Sequence, residues 1–373
     1  MTSTIWIDFN DIVTWPLKHF TGIQRVVVKT AEELIKTENY KLFIYYESSD
    51  TFYEIDKSTF YYTLSFDFSK LKTTRDPVEF KKTDTILFLG GSWVKTNLLS
   101  KISSLKDRVN FKVVHFIHDV SPITVPHVHK INAKENITNW LTQVSKVSDL
   151  YITNSIFSKK EIERVFKRLN LKSKNIHPVR LADSIKDIKP TAPKVTLNKP
   201  FILFVSSFEP RKNHYLIYQA MKILKNESNL NEFPDIIFTG SRGWNSDHLR
   251  HFILNDPELK QKITWLEGMN DGELIWLYQN CVFTIYPSLY EGWGLPVAES
   301  LSLGKFCLAS SAASIPEIAG DLIEYHNPYD ARELSSKIEK MLELNSIAAK
   351  EDKIKSRYTP TKWYQTSNEI KNI

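Results

Sequence analysis

Short apolar runs alternate with segments of helical spacing from one end of this chain to the other, and no other feature restricts its architecture as much. The runs fall at 4–9, 41–46, 85–89, 111–117, 149–153, 201–206, 235–239, 262–266, 281–286, 306–310 and 322–325. Between them, 23–36, 156–169, 213–225, 271–279 and 331–343 place apolar residues at helical intervals. This order predicts an α/β chain in which parallel sheets, buried on both faces, are covered by helices. At about 150 residues per domain, the 373 residues make two doubly wound, Rossmann-like domains. The stretch 183–200, with Pro190, Pro193 and Pro200, follows neither period and supplies the linker, set at 186–197. The domains are then 1–185 and 198–357, with 50–83 an irregular aromatic and polar insertion. Open sheets of this kind bind ligands beyond the carboxyl ends of their strands, and two such domains facing one another would set the site in the cleft between them.

Composition narrows the class. With 42% hydrophobic and 25% charged residues the chain is neither disordered nor membrane-spanning, and no apolar stretch approaches the ~20 residues of a spanning helix. The first residues lack the basic and apolar regions of a signal peptide. Cys281 and Cys307 lie in apolar runs and are expected as reduced core thiols, which suits the cytoplasm. The net charge of +6 divides into +10 over residues 1–200 and −4 over 201–373. Lys159, Lys160, Arg164, Lys167, Arg168, Lys172 and Lys174 cluster around an apolar stripe of Ile162, Val165, Phe166 and Leu169. This is either a solvated helix face or a surface that attracts the anionic inner face of a membrane. No finger, RNP-type or helix-turn-helix signature accompanies the charge, so nucleic acid is not an expected partner.

The segment most informative about chemistry is 281–300. An apolar strand stops at Pro287, a glycine-containing turn follows, and Pro296 marks a new helix. Glycines let backbone approach a ligand, and the unpaired amides of a helix start favour an anion such as phosphate. Glu291 stands in the turn and Glu299 eight residues later in the first helical turn. Carboxylates there can accept hydrogen bonds from sugar or ribose hydroxyls; the plainer alternative is a solvated capping pair.

Glu291-Gly-Trp-Gly-Leu-Pro-Val-Ala-Glu299 resembles the E-x7-E motif of retaining glycosyltransferases of family GT4, which have the two-domain GT-B fold. Four further stretches match in order: Thr21-Gly-Ile-Gln-Arg-Val26, Phe116-Ile-His-Asp119, Glu209-Pro-Arg-Lys-Asn213 and Ser314-Ile-Pro-Glu-Ile-Ala-Gly-Asp321. The resemblance, which covers nearly the whole chain, implies that Glu299 binds the donor's ribose and Glu291 the transferred sugar. By the same resemblance Lys212 holds the diphosphate, and Trp293, Gly294 and Leu295 offer it amides. Many members place a phosphate arginine where this chain has Ser206 and Ser207, so Arg211 either substitutes for it or caps the following helix; Ser207 stays a donor-binding candidate. Gly22 approaches the diphosphate from the other domain, or is an ordinary turn glycine, and Arg25 is a phosphate contact or a surface residue. His118 contacts the donor sugar near the reacting carbon, and Asp119 orients that histidine or the acceptor. The donor base lies near Met269 in Leu266-Glu-Gly-Met269 and near Gly240-Ser-Arg242. Residues 358–373, with Trp363 and Tyr364, resemble the terminal helix that crosses back to the first domain in this fold.

No Asp-x-Asp pair is present to bring a divalent cation to a diphosphate, and His127 and His129 lack a third ligand, so neither metal nor other cofactor is expected. Lysine, arginine and amide donors would neutralise the leaving group. The resemblance further implies same-face transfer, the departing diphosphate taking the acceptor's proton. It favours the mannosyl- and deoxysugar transferases of bacterial polysaccharide assembly, with a GDP-sugar preferred over a UDP-sugar and a glycan or lipid-linked glycan as acceptor. A nucleotide-sugar epimerase and a non-catalytic sugar-nucleotide-binding subunit are the alternatives.

Overall fold

The computed structural model of the chain describes residues 3–16, 19–185, 188–197, 199–227, 233–343 and 346–373. It divides into two compact units, one of residues 1–123, 132–182 and 362–373, the other of 124–131 and 183–361.

The first unit is built on a seven-stranded sheet. Its strands are β1 (Ile5–Asp8), β2 (Tyr40–Tyr46), β3 (Thr51–Ile55), β4 (Thr85–Phe88), β5 (Lys112–Phe116), β6 (Leu150–Thr153) and β7 (Ile176–Pro178). They lie in the order β3-β2-β1-β4-β5-β6-β7. All pairings are parallel except β2 with β3, where Leu42 faces Ile55. The stretch 50–83 is therefore not simply irregular. It supplies an antiparallel edge strand, and its Phe52 and Phe80 pack edge-on against Phe43 inside the first core. Aromatic enrichment without clean alternation hides a strand that is short and half covered. The helix Gly22–Leu34 turns Val26, Val27, Ala31 and Leu34 inward. The helix Ile156–Arg168, whose first turn is capped by the Ser155 hydroxyl accepting from the Ser158 amide, turns Ile162, Val165 and Phe166 inward. Each fully buried side chain of this size contributes about 1.5–3 kcal/mol. The terminal helix Trp363–Lys371 also belongs to this unit: the Thr366 hydroxyl donates to Arg180 O at 2.7 Å.

The second unit carries a wholly parallel six-stranded sheet of β8 (Phe201–Val205), β9 (Asp235–Thr239), β10 (Ile263–Leu266), β11 (Thr284–Tyr286), β12 (Cys307–Ser310) and β13 (Glu324–His326). The order β10-β9-β8-β11-β12-β13 is the 3-2-1-4-5-6 arrangement of a dinucleotide-binding sheet, whose direction of growth reverses between β8 and β11. Two boundaries differ from expectation. Residues 124–131 join this unit because the Trp244 indole donates to Val128 O at 3.2 Å and stacks on His129. The expected linker is not a free tether in its described part: Ile188 and Leu197 pack on the second core and the Thr191 amide donates to Gly272 O. Residues 186 and 187, at its start, lie outside the described residues.

Cys281 caps the helix Asp271–Asn280 rather than lying in a strand, and Cys307 opens β12. Both are buried and unbridged, and burial pushes each thiol up to about 12. Among the described residues no helix is long and apolar enough to cross a membrane.

Candidate active site

At the β8/β11 reversal the chain leaves both strands on the same edge, and one cluster of charged residues of the second unit lies there. Beyond β8 a single turn of 3-10 helix, Pro210–Lys212, is stopped by Asn213 in the left-handed conformation at φ 62°. That side chain donates to Pro287 O at 3.1 Å and Pro328 O at 2.8 Å, tying the turn to the loops after β11 and β13. The loop is anchored again where the Ser314 hydroxyl reaches Glu291 O at 2.9 Å and Trp293 O at 2.8 Å. It ends at Gly294, whose φ of 115° suits glycine alone, and enters the helix Leu295–Ser302.

Four charged side chains meet in this frame. Lys212 Nζ donates to Glu291 Oε1 at 2.7 Å and to the Tyr286 hydroxyl at 3.1 Å, and that hydroxyl donates to the same carboxylate oxygen. Arg211 donates to Glu291 Oε2 at 3.0 Å, Glu209 Oε1 at 2.7 Å and Tyr290 O at 2.7 Å. Glu291 is 6% exposed, and burial alone would raise its pKa. Lys212 and Arg211 more than reverse that, holding it at about 2. Burial draws Lys212 below the usual lysine range, with Glu291 opposing. Two carboxylates and two cations cancel, so the cluster carries no net formal charge. Glu299 stands apart from it: the buried Tyr278 hydroxyl donates to Glu299 Oε2 at 3.0 Å.

Lys212, Arg211 and Glu291 are thus brought together, with Trp293, Gly294 and Leu295 on the same loop and Glu299 on the helix it feeds. Arg211 is engaged by the carboxylates of Glu209 and Glu291 and by the Tyr290 carbonyl. Ser207 is half-buried just before the turn, and its carbonyl accepts the Glu209 amide at 3.1 Å. Met269 packs against the second core. Glu209, Tyr278, Tyr286 and Ser314 were not singled out in the sequence. Glu209 and Ser314 lie inside matched motifs, whereas the two tyrosines carry no local signal.

In the first unit Gly22 opens its helix and is exposed, with Arg25 half-buried one turn on. His118 lies beyond β5, 8% exposed, its ring stacked on Phe116 at 4.5 Å. Its Nε2 is 2.8 Å from Leu89 O, so Nε2 carries the proton and Nδ1 is the acceptor. Burial lowers its pKa and keeps the ring neutral. Asp119 Oδ1 accepts from the Ser121 amide at 2.9 Å and hydroxyl at 2.8 Å, so its carboxylate caps the next turn. The bond that orients His118 comes from Leu89 instead. Among the described residues, no group of three or more His, Cys, Asp or Glu is placed to hold a metal ion.

Comparison with known proteins agrees with the fold. The chain is 30% identical over 244 residues to the O-antigen chain mannosyltransferase B of Escherichia coli, an alignment covering 63% of this chain and 62% of that protein. It is 25% identical over 248 residues to the serotype-specific mannosyltransferase WbdA of Escherichia coli, covering 65% of this chain and 30% of the relative. The chain thus spans less than two thirds of either. Among solved structures, a sucrose-phosphate synthase of Thermosynechococcus elongatus superposes with a TM-score of 0.69 at 16% identity, covering 100% of this chain and 98% of that one. Anabaena Alr3699/HepE, determined in complex with UDP-glucose, superposes with a TM-score of 0.68 at 14% identity over the whole of both chains. The family described as glycosyl transferases group 1 matches residues 186–358. The chain therefore has the GT-B fold and carries, over residues 186–358, a domain of the glycosyl transferases group 1 family.

Proposed function

We propose that this protein is a retaining, metal-independent mannosyltransferase that moves mannose from GDP-mannose to a hydroxyl of a glycan or lipid-linked glycan during surface polysaccharide assembly. The observation that carries it is the Lys212–Arg211–Glu291 cluster at the β8/β11 reversal, with Glu299 in the helix that follows. The names of the curated relatives supply mannose and O-antigen as sugar and product class.

The neutral cluster suggests how the donor is received. A diphosphate competes with Glu291 for Lys212 and Arg211; as the cations turn to phosphate oxygens, Glu291 is released, still ionised, to accept sugar hydroxyls. Glu299 takes the ribose, and the amides of Trp293 to Leu295 face the phosphates at a helix start. As the bond from the anomeric carbon to the diphosphate breaks, the acceptor oxygen bonds to the same face and its proton passes to the departing phosphate oxygen. Gly22, His118 and Asp119 of the first unit are proposed as further donor or acceptor contacts on the strength of their motifs alone. We further place the protein in the cytoplasm at the inner membrane face, held by the exposed side chains of Lys160, Arg164, Lys167 and Arg168. Since Ile162, Val165 and Phe166 are buried in the core, that attraction is electrostatic.

The test is transfer from GDP-mannose in chelator, with the product anomer read by NMR alongside thermal shifts with GDP, UDP and ADP. Activity without metal, preserved configuration and a shift largest with GDP are expected. An absolute need for added metal or an inverted product overturns the mechanism. A shift with UDP alone would make the donor a UDP-sugar, the nucleotide in the HepE complex.

A further inference from the structure

The first sheet reverses its direction of growth between β1 and β4, and the polar residues beyond those strands form a chain of hydrogen bonds centred on Asp11, which lies outside the matched motifs. Asp11 sits in the short helix Asn10–Val13 just beyond β1. Its Oδ2 accepts from the Gly91 amide at 3.1 Å, and its two oxygens accept from Gln24 Nε2 at 3.4 and 3.2 Å. The Gln24 carbonyl oxygen accepts in turn from the hydroxyl of Thr21, the residue before Gly22. At the other end of the same loop, Leu89 O receives the His118 ring proton. Between the two anchors stands Gly90, where a Cβ would lie 2.7 Å from Val27 Cγ2 and 2.8 Å from Asp11 Oδ2. Only glycine lets the loop lie so close. A carboxylate buried at 5% exposure is costly, and here that cost is offset by the donors of Gly91 and Gln24.

We propose that Asp11, together with Gln24, is a positioning residue: the pair sets the Gly22 turn and the Leu89–Gly91 loop in register, and through that loop fixes the ring of His118. The role rests on Gly22 and His118 being donor contacts, as in the proposed function. Asp11 does not touch the donor; it acts through the Gly91 amide and through Gln24.

The test uses the full chain. Asp11→Ala and Gln24→Leu remove the two links, whereas Asp11→Asn keeps an acceptor for the Gly91 amide. Expected are a loss in kcat of at least tenfold in the first two, recovery of most of it in Asp11→Asn, and a clearly smaller further loss, carried by the Gly22 turn alone, when Asp11→Ala is placed in a His118→Asn background. Nitrogen-15 imidazole signals are read in parallel and need no turnover. The wild type shows His118 as the Nε2–H form, and Asp11→Ala and Gln24→Leu show a mixture of tautomers. Unchanged His118 signals in folded Asp11→Ala and Gln24→Leu, or fully additive losses with His118→Asn, overturn the proposal. If the wild type transfers no sugar the proposed function fails, and the ring signals still decide the clamp.

Discussion

Glu291 shows how far a single side chain can be understood from its neighbours. Its proton is lost far below the usual carboxylate range because two cations face it in a buried place, so the pairing adds stability above pH 4.5 that disappears as pH falls toward 2. On the proposed function, removing its charge frees Lys212 and Arg211 for phosphate. Glu291→Gln should bind GDP more tightly by calorimetry while transfer falls on the order of 100-fold or more; weaker GDP binding would show that the cations do not exchange partners. Lys212→Ala, in contrast, should lose GDP affinity and transfer together. For Glu299 the informative change is Tyr278→Phe, which deletes one donor to the carboxylate. It should weaken GDP by about tenfold, the worth of one buried hydrogen bond, and leave pyrophosphate binding unchanged. Lys212, Glu291 and Glu299 can be singled out as candidates in the sequence because their chemistry is compressed into short stretches. Tyr278 and Tyr286 were not, since a tyrosine in an apolar helix or strand reads as core until its hydroxyl is seen to reach a carboxylate 21 or 5 residues away.

Among elements, the parallel strands and their covering helices were readable because each strand buried on both faces is a near-continuous apolar run. The antiparallel β3 was lost because it ends the sheet beside an irregular segment, and its polar positions break the run. The loop between β11 and the helix Leu295–Ser302 is the element on which the site depends most. Its Gly294 combines a φ of 115° with a would-be Cβ 3.1 Å from Ile318 Cδ1. Gly294→Ala should cost about 1–3 kcal/mol in chemical denaturation and weaken nucleotide binding with it. Full stability in that variant would mean the loop relaxes without strain.

Across the whole molecule, charge and burial set the response to pH. Asp8, buried at the end of β1, is raised to about 7, chiefly by loss of solvent. An acid raised on folding takes up a proton in the native state, so its contribution is fully present below about pH 4 and is lost as pH rises toward 7. Asp8→Asn keeps the acceptor that Asn10 Nδ2 uses at 2.5 Å and should flatten this slope, raising the melting temperature at pH 8 but little at pH 4. An equal change at both pH values would move the cause elsewhere. The two thiols of the second unit turn that kind of measurement into one of rate. Neither Cys281 nor Cys307 can react while the six-stranded sheet is closed, since both are covered and protonated. An alkylating reagent therefore counts openings of that unit alone, and bound nucleotide should slow labelling by the factor through which it stabilises the closed form.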